Sequence, residues 1–280
     1  MLKTRVLTAV VLVPAVLAAL FLLPPLAWSL LLVGVIGWAA HEWGRLAGFP
    51  PPLHASFVTA TLFVSLALLL FPDRAVAYDY ALGLLAVASV FWIVVAPMWV
   101  VWRWPTQMRV PMALLGVVVL VATWVALVDL RARSPWLVLA AMAVVWIADT
   151  AAYFSGRAFG RHKLAPQVSP GKTWEGVYGA WIAVGVYALA LVPLAGAAAF
   201  RPPVNALSMT LFVSFLVVLA AVSVVGDLFE SLMKRHAGVK DSGAALPGHG
   251  GILDRTDALL AAMPIAALAA HWFLGRGGGS

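Results

Sequence analysis

Long apolar runs separated by short polar or proline-bearing breaks set the pattern of this chain. A helix needs roughly 20 apolar residues to cross the bilayer core, within a range of about 17–25. Nine runs are candidates: 6–23, 26–40, 56–71, 81–101, 110–128, 136–154, 177–200, 209–228 and 258–274. The second and third are short and are expected to extend into their flanks. Only Pro24 and Pro25 separate the first two, which therefore form a tight hairpin or one bent element. Lys3 and Arg5 ahead of the first run mimic a secretory leader. No small-residue cleavage site precedes the second run, so the first is kept as a span.

Composition turns this pattern into a fold class. Apolar residues make up 64% of the 280 and charged residues 10%, against about 25% charged in an average globular protein. Mean hydropathy is +1.00. So few charges cannot cover a soluble fold of this size, so the expected class is an all-α polytopic membrane protein with about nine transmembrane helices. The absence of cysteine excludes disulfides, thiolate metal sites and cysteine nucleophiles.

The basic residues set the topology. Nine spans place 13 of the 18 Lys and Arg on the side of the N-terminus, and fusing the first two spans would move Lys3 and Arg5 across and leave a split of 11 to 7. The positive-inside rule therefore favours nine spans with a cytoplasmic N-terminus. The net charge of +7 contains no basic run or aromatic-interleaved stripe, so it points to topology and anionic ligands rather than nucleic acid. Residues 277–280, Gly-Gly-Gly-Ser, read as a linker scar.

The acidic residues locate a site. Asp73, Asp79 and Asp129 fall on the outer side, and the other eight lie at or near cytoplasmic span ends, seven of them after residue 148. Asp227 and Glu230 are three apart and share a helix face with Ser231. Asp254 and Asp257 are three apart where the ninth span begins. Either of these alone reads as a plain helix cap. Two such pairs facing across a loop would repel unless a cation sits between them. Oxygen-only ligands favour Mg²⁺, which binds one or two carboxylates plus substrate phosphates. Lys234, Arg235, Lys240 and Arg255 interleave with Asp241, Asp254 and Asp257, while Arg157, Arg161, Lys163 and Lys172 occupy the preceding cytoplasmic loop. Topology explains some of these cations, and a polyphosphate site needs the rest.

Other features add less. Gly248-His249-Gly250-Gly251 offers a backbone that a ligand can approach, or simply a flexible turn. Ser169 to Thr173 resembles the tail of a phosphate-binding loop but lacks its full spacing and is expected to follow no strand. Trp99, Trp102 and Trp104 read as interfacial anchors.

The stretch from Ser231 through Lys234-Arg235, Lys240-Asp241, Gly243 and Pro247-Gly-His249-Gly250-Gly251 to Asp254-Arg255-Thr-Asp257 closely resembles the signature of phosphatidate cytidylyltransferases (CDP-diacylglycerol synthases). Ala148-Asp149-Thr150, Lys163-Leu-Ala-Pro166, Ser169-Pro170, Lys172-Thr173-Trp174-Glu175-Gly176 and Gly226-Asp227 also resemble that family. The specific resemblance covers about 145–260, and residues 1–140 match only as hydrophobic spans. It implies that CTP and phosphatidic acid give CDP-diacylglycerol and pyrophosphate. By position and family pattern together, Asp227, Asp254 and Asp257 are expected to ligate metal, with Asp241 and Asp149 next. Asp149 could instead orient a helix or contact the nucleotide. Lys234, Arg235, Lys240 and Arg255 would neutralise substrate phosphates, and Ser231 and His249 would donate hydrogen bonds. Gly250 and Gly251 would approach substrate, while Ser169, Lys172, Thr173 and Glu175 would shape the nucleotide or lipid-head side. The resemblance also implies Mg²⁺, optionally with a second, monovalent ion, and a homodimer in the lipid bilayer.

The chain then divides into a scaffold over 1–140, a catalytic region over 141–276 with two cytoplasmic loops, and the 277–280 scar. The expected location is a bacterial plasma membrane, with the site facing the cytoplasm. The alternative is a transporter of an anionic substrate. It would call for charges near the midplane and paired internal repeats, whereas the acids here lie at span ends and no repeat is seen.

Overall fold

The computed structural model describes residues 2–71, 74–192, 205–245, 248 and 250–274. His249 and the 277–280 tail lie outside the described residues. The elements in chain order are α1 (Leu2–Leu22), α2 (Pro25–Leu46), α3 (Pro51–Leu70), α4 (Arg74–Val90), a π turn (Phe91–Val95) and α5 (Ala96–Trp102). Then come α6 (Arg109–Arg133), α7 (Pro135–Phe159), β1 (Lys163–Ala165), β2 (Ser169–Thr173), α8 (Trp174–Leu191), α9 (Ala206–His236) and α10 (Leu253–Leu274). The π turn joins α4 and α5 into one rod, so nine helical rods stand among the described residues. Eight segments there are long and apolar enough to cross a membrane, and the apolar helix Val10–Leu22 within α1 is shorter. The protein is an all-α polytopic membrane protein.

Local chemistry fixes the helix ends. Proline opens α2, α3 and α7, where its missing N–H costs nothing. The Ser134, Thr173 and Asn205 side chains accept backbone N–H bonds at the starts of α7, α8 and α9. The Pro24-Pro25 link separates two helices. Arg131 of α6 clasps that link, donating from Nε to the Leu20 carbonyl at 2.9 Å and from Nη2 to the Leu23 carbonyl. These are C-terminal carbonyls that α1 itself cannot satisfy.

Two interior prolines also find compensation. Pro97 cannot donate to the Ile93 carbonyl, and the chain shifts there to a π turn in which the Ala96 N–H reaches the Phe91 carbonyl. Pro264 leaves the Leu260 carbonyl of α10 without its helical donor. The buried Thr123 hydroxyl of α6 donates to the Val119 carbonyl of its own helix at 2.9 Å and shares that hydrogen with the Leu260 carbonyl at 3.3 Å.

The core joins both halves of the chain. α10 packs on α9 and α6, and α8 packs on α7 and α9. Phe229 of α9 is 1% exposed. Its ring meets those of Phe91, Trp92, Trp99 and Trp43 at centroid separations of 5.5 to 6.0 Å. Trp99 is therefore a core residue and not an interfacial anchor, because α5 turns it onto α9. Trp102 and Trp104 remain exposed. The division at 140/141 falls inside α7.

One further departure positions the site. β1 and β2 form an antiparallel hairpin, with Lys163 opposite Thr173 and Ala165 opposite Ser169. The sequence suggested no strand here. A three-residue strand is too short to display a two-residue period.

Candidate active site

α9 and α10 run past their apolar sections, so the acidic pairs stand on helix rather than in loops. Asp227, Glu230, Ser231, Lys234 and Arg235 share α9, while Asp254, Arg255 and Asp257 share the start of α10. Gly226 lets these helices touch, because a Cβ there would meet the Asp257 carbonyl and Ala261 Cβ. That approach brings Asp257 into electrostatic range of Asp227.

The cations that hold these acids together belong to the protein. Lys172 of the hairpin places Nζ 2.7 Å from Asp227 Oδ2, and the Ser231 hydroxyl donates to Asp227 Oδ1 at 3.3 Å. Asp149 of α7 interacts electrostatically with both Lys172 and Asp227. Lys234 bridges the two acidic pairs, with Nζ 2.5 Å from Glu230 Oε2 and 2.7 Å from Asp254 Oδ1. The charge expected between facing carboxylates is thus a lysine ammonium at this point.

Asp254 is fully engaged by protein donors. Its Oδ2 accepts from the Ser242 N–H at 2.8 Å, the Ser242 hydroxyl at 2.9 Å and the Gly251 N–H at 2.8 Å. Asp241 is exposed in the loop between α9 and α10. Among the described residues, no three acidic or histidine side chains are arranged around one ion. Asp227 and Asp257 on adjoining helices nevertheless fit the usual protein share of a Mg²⁺ site, one or two carboxylates.

The other expected residues divide by role. Arg235 donates from Nε to the Val168 carbonyl at 3.1 Å, tying α9 to the hairpin turn. Lys240 and Arg255 are exposed beside the same loop. Thr173 caps α8, accepting from the Gly176 N–H. Glu175 accepts from the His162 backbone and pairs with His162 Nδ1 at 2.7 Å, closing the hairpin onto α8. Ser169 lies in β2 opposite Ala165. Gly250 adopts φ +81°, and a Cβ there would strike Asp254 Oδ2, so its backbone serves the turn that feeds Asp254. Lys172, Asp227, Asp257, Asp149, Lys234 and Asp254 are thus brought together.

One residue escaped the sequence reading. Glu42 of α2 is 1% exposed. It accepts hydrogen bonds from the backbone amides of Ile252 and Leu253 at 3.1 and 2.7 Å and shares the single Ser242 hydroxyl hydrogen, 3.0 Å away, with Asp254. Trp38 Nε1 donates to it at 3.1 Å. Glu42 lies just past the second apolar run, between His41 and Arg45, where an acid reads as an ordinary span end.

Chemically, the cluster offers alternating fixed charges and no cysteine nucleophile. It suits the binding of polyanions and the stabilisation of charge developing on phosphate oxygens. The profile of the cytidylyltransferase family matches residues 3–273. The phosphatidate cytidylyltransferase of Pseudomonas aeruginosa is 40% identical over 285 aligned residues, covering 99% of each chain. That of Haemophilus influenzae is 39% identical, covering 94% of this chain and 96% of its own. That of Thermotoga maritima is 42% identical over 142 residues, covering 49% of each. This chain belongs to the cytidylyltransferase family.

Proposed function

We propose that this member of the family transfers the cytidylyl group of CTP to phosphatidic acid, giving CDP-diacylglycerol and pyrophosphate. The observation that carries this reading is the meeting of Lys172, Asp227 and Asp257 from the hairpin, α9 and α10, beside the Lys234–Asp254 pair. The names of the full-length relatives support the choice of substrates.

The phosphatidate phosphate supplies its own nucleophile. Its second ionisation lies near pH 6, so an attacking oxygen is available without a strong base. That oxygen forms a bond to the α-phosphorus of CTP. The bond from the α-phosphorus to the bridging oxygen breaks, and pyrophosphate leaves with the electron pair. Lys172 and Lys234 counter the phosphate charge, and Arg235, Lys240 and Arg255 border the loop where the phosphates arrive. Asp227 and Asp257 would hold Mg²⁺, which when bound neutralises charge on the triphosphate and the leaving group. The bias of basic residues supports a site facing the cytoplasm, and the bacterial relatives support a bacterial inner membrane. A homodimer is proposed on the family resemblance alone.

The test uses purified protein in mixed micelles with CTP labelled at the α-phosphorus. The label should enter the organic phase only when phosphatidic acid and a divalent ion are both present. No lipid-soluble label from folded protein, across several phosphatidates and divalent metals, would overturn the assignment.

A further inference from the structure

Glu42 stands in the part of the chain that looked like scaffold, yet most of its polar contacts reach the loop between α9 and α10. An ionised carboxylate buried near hydrocarbon is tolerated only when donors surround it. Three of its four donors come from residues 242–253, about two hundred positions away in sequence. Two are backbone amides at the start of α10, which the helix itself leaves unsatisfied. Glu42 thus caps α10 from another helix, and its charge suits the positive end of the helix dipole.

The loop is shaped around this carboxyl. A Cβ at Gly243 would strike the Glu42 carboxyl group, and one at Gly251 would strike both Glu42 and the Ser242 hydroxyl. The absence of side chains there gives room to Glu42, in addition to any approach by substrate. Ser242 then links two carboxylates: its Oγ lies 3.0 Å from Glu42 Oε2 and 2.9 Å from Asp254 Oδ2. Asp254 in turn fixes Lys234.

We propose that Glu42 is a positioning residue for the transfer reaction, holding Ser242 and the 251–254 turn so that Asp254 and Lys234 stand in register with Asp227. This inference rests on the reaction proposed above. It makes residues 1–140 a working part of the site rather than only a scaffold.

The test compares wild type with Glu42→Gln, Glu42→Asp and Gly243→Ala in the labelled-CTP assay. Each is also measured for thermal unfolding and for hydrogen exchange across residues 240–254. Glutamine is nearly isosteric, but its amide must face backbone donors. Glu42→Gln should lower kcat about a hundredfold, the scale for a displaced reacting group. The KM for CTP should change far less, and exchange in the loop should quicken. Glu42→Asp, which keeps the charge, should lose less, and Gly243→Ala should resemble Glu42→Gln. Wild-type kcat and loop exchange in folded Glu42→Gln would overturn the proposal. If that variant does not fold, wild-type kcat in Gly243→Ala overturns it. An inactive wild type would instead overturn the reaction, while loop exchange would still test the role of Glu42.

Discussion

Lys234 sits between Glu230 and Asp254, and all three side chains are largely buried. Removing one partner of a buried ion pair leaves an uncompensated charge and costs about 3–5 kcal/mol. Lys234→Met is therefore expected to destabilise the fold by that order, measured by denaturant unfolding in detergent. Adding Glu230→Gln should return part of the loss by removing one stranded carboxylate. The acidic pairs on α9 and α10 were legible because the two members of each lie three positions apart on one helix face. Lys234 reads from the sequence as a cation for phosphate, and its place as the bridge between the two pairs was not legible, because that depends on how α9 meets α10. Glu42 was not legible as a site residue, since its loop partners lie about two hundred positions away. An acid at a span end gives no hint of which amides it will cap.

At the scale of the element, α10 carries Asp254 and Asp257 and is interrupted by Pro264. Thr123 of α6 partly compensates the interruption, sharing its hydroxyl hydrogen between the Val119 and Leu260 carbonyls. Thr123→Val is expected to cost about 1 kcal/mol, the net worth of a typical hydrogen bond. Combined with Pro264→Ala, which restores the helical donor, the same change should cost much less, and a double-mutant cycle reads the difference. α9 is seated by the aromatic rings around Phe229. Phe229→Ala should destabilise by about 3–5 kcal/mol, since a buried ring is replaced by a cavity. The apolar runs revealed the rods because burial in lipid demands length and hydrophobicity together. They did not reveal where α9 ends and α10 begins, because both helices extend into polar sequence at the site. The β1–β2 hairpin was also hidden, although it delivers Lys172 to Asp227.

For the whole molecule, the two halves of the chain share one core and one site. α6 packs against α2 and α10, and Glu42 reaches across to the loop that precedes α10. The basic residues favour one membrane face, so the proposed site has a defined side. Inside-out bacterial membrane vesicles should make CDP-diacylglycerol from added CTP, and sealed right-side-out vesicles should not. Equal activity in both would contradict the cytoplasmic placement. The central claim, that the charged cluster joining the hairpin, α9 and α10 performs cytidylyl transfer, is tested most directly by Asp227→Asn. CDP-diacylglycerol formation from α-labelled CTP would be measured for wild type and variant, with melting temperatures recorded on the same samples. The account predicts a fall in kcat/KM of about a hundredfold or more at an essentially unchanged melting temperature. A variant that folds normally and turns over at the wild-type rate would contradict it.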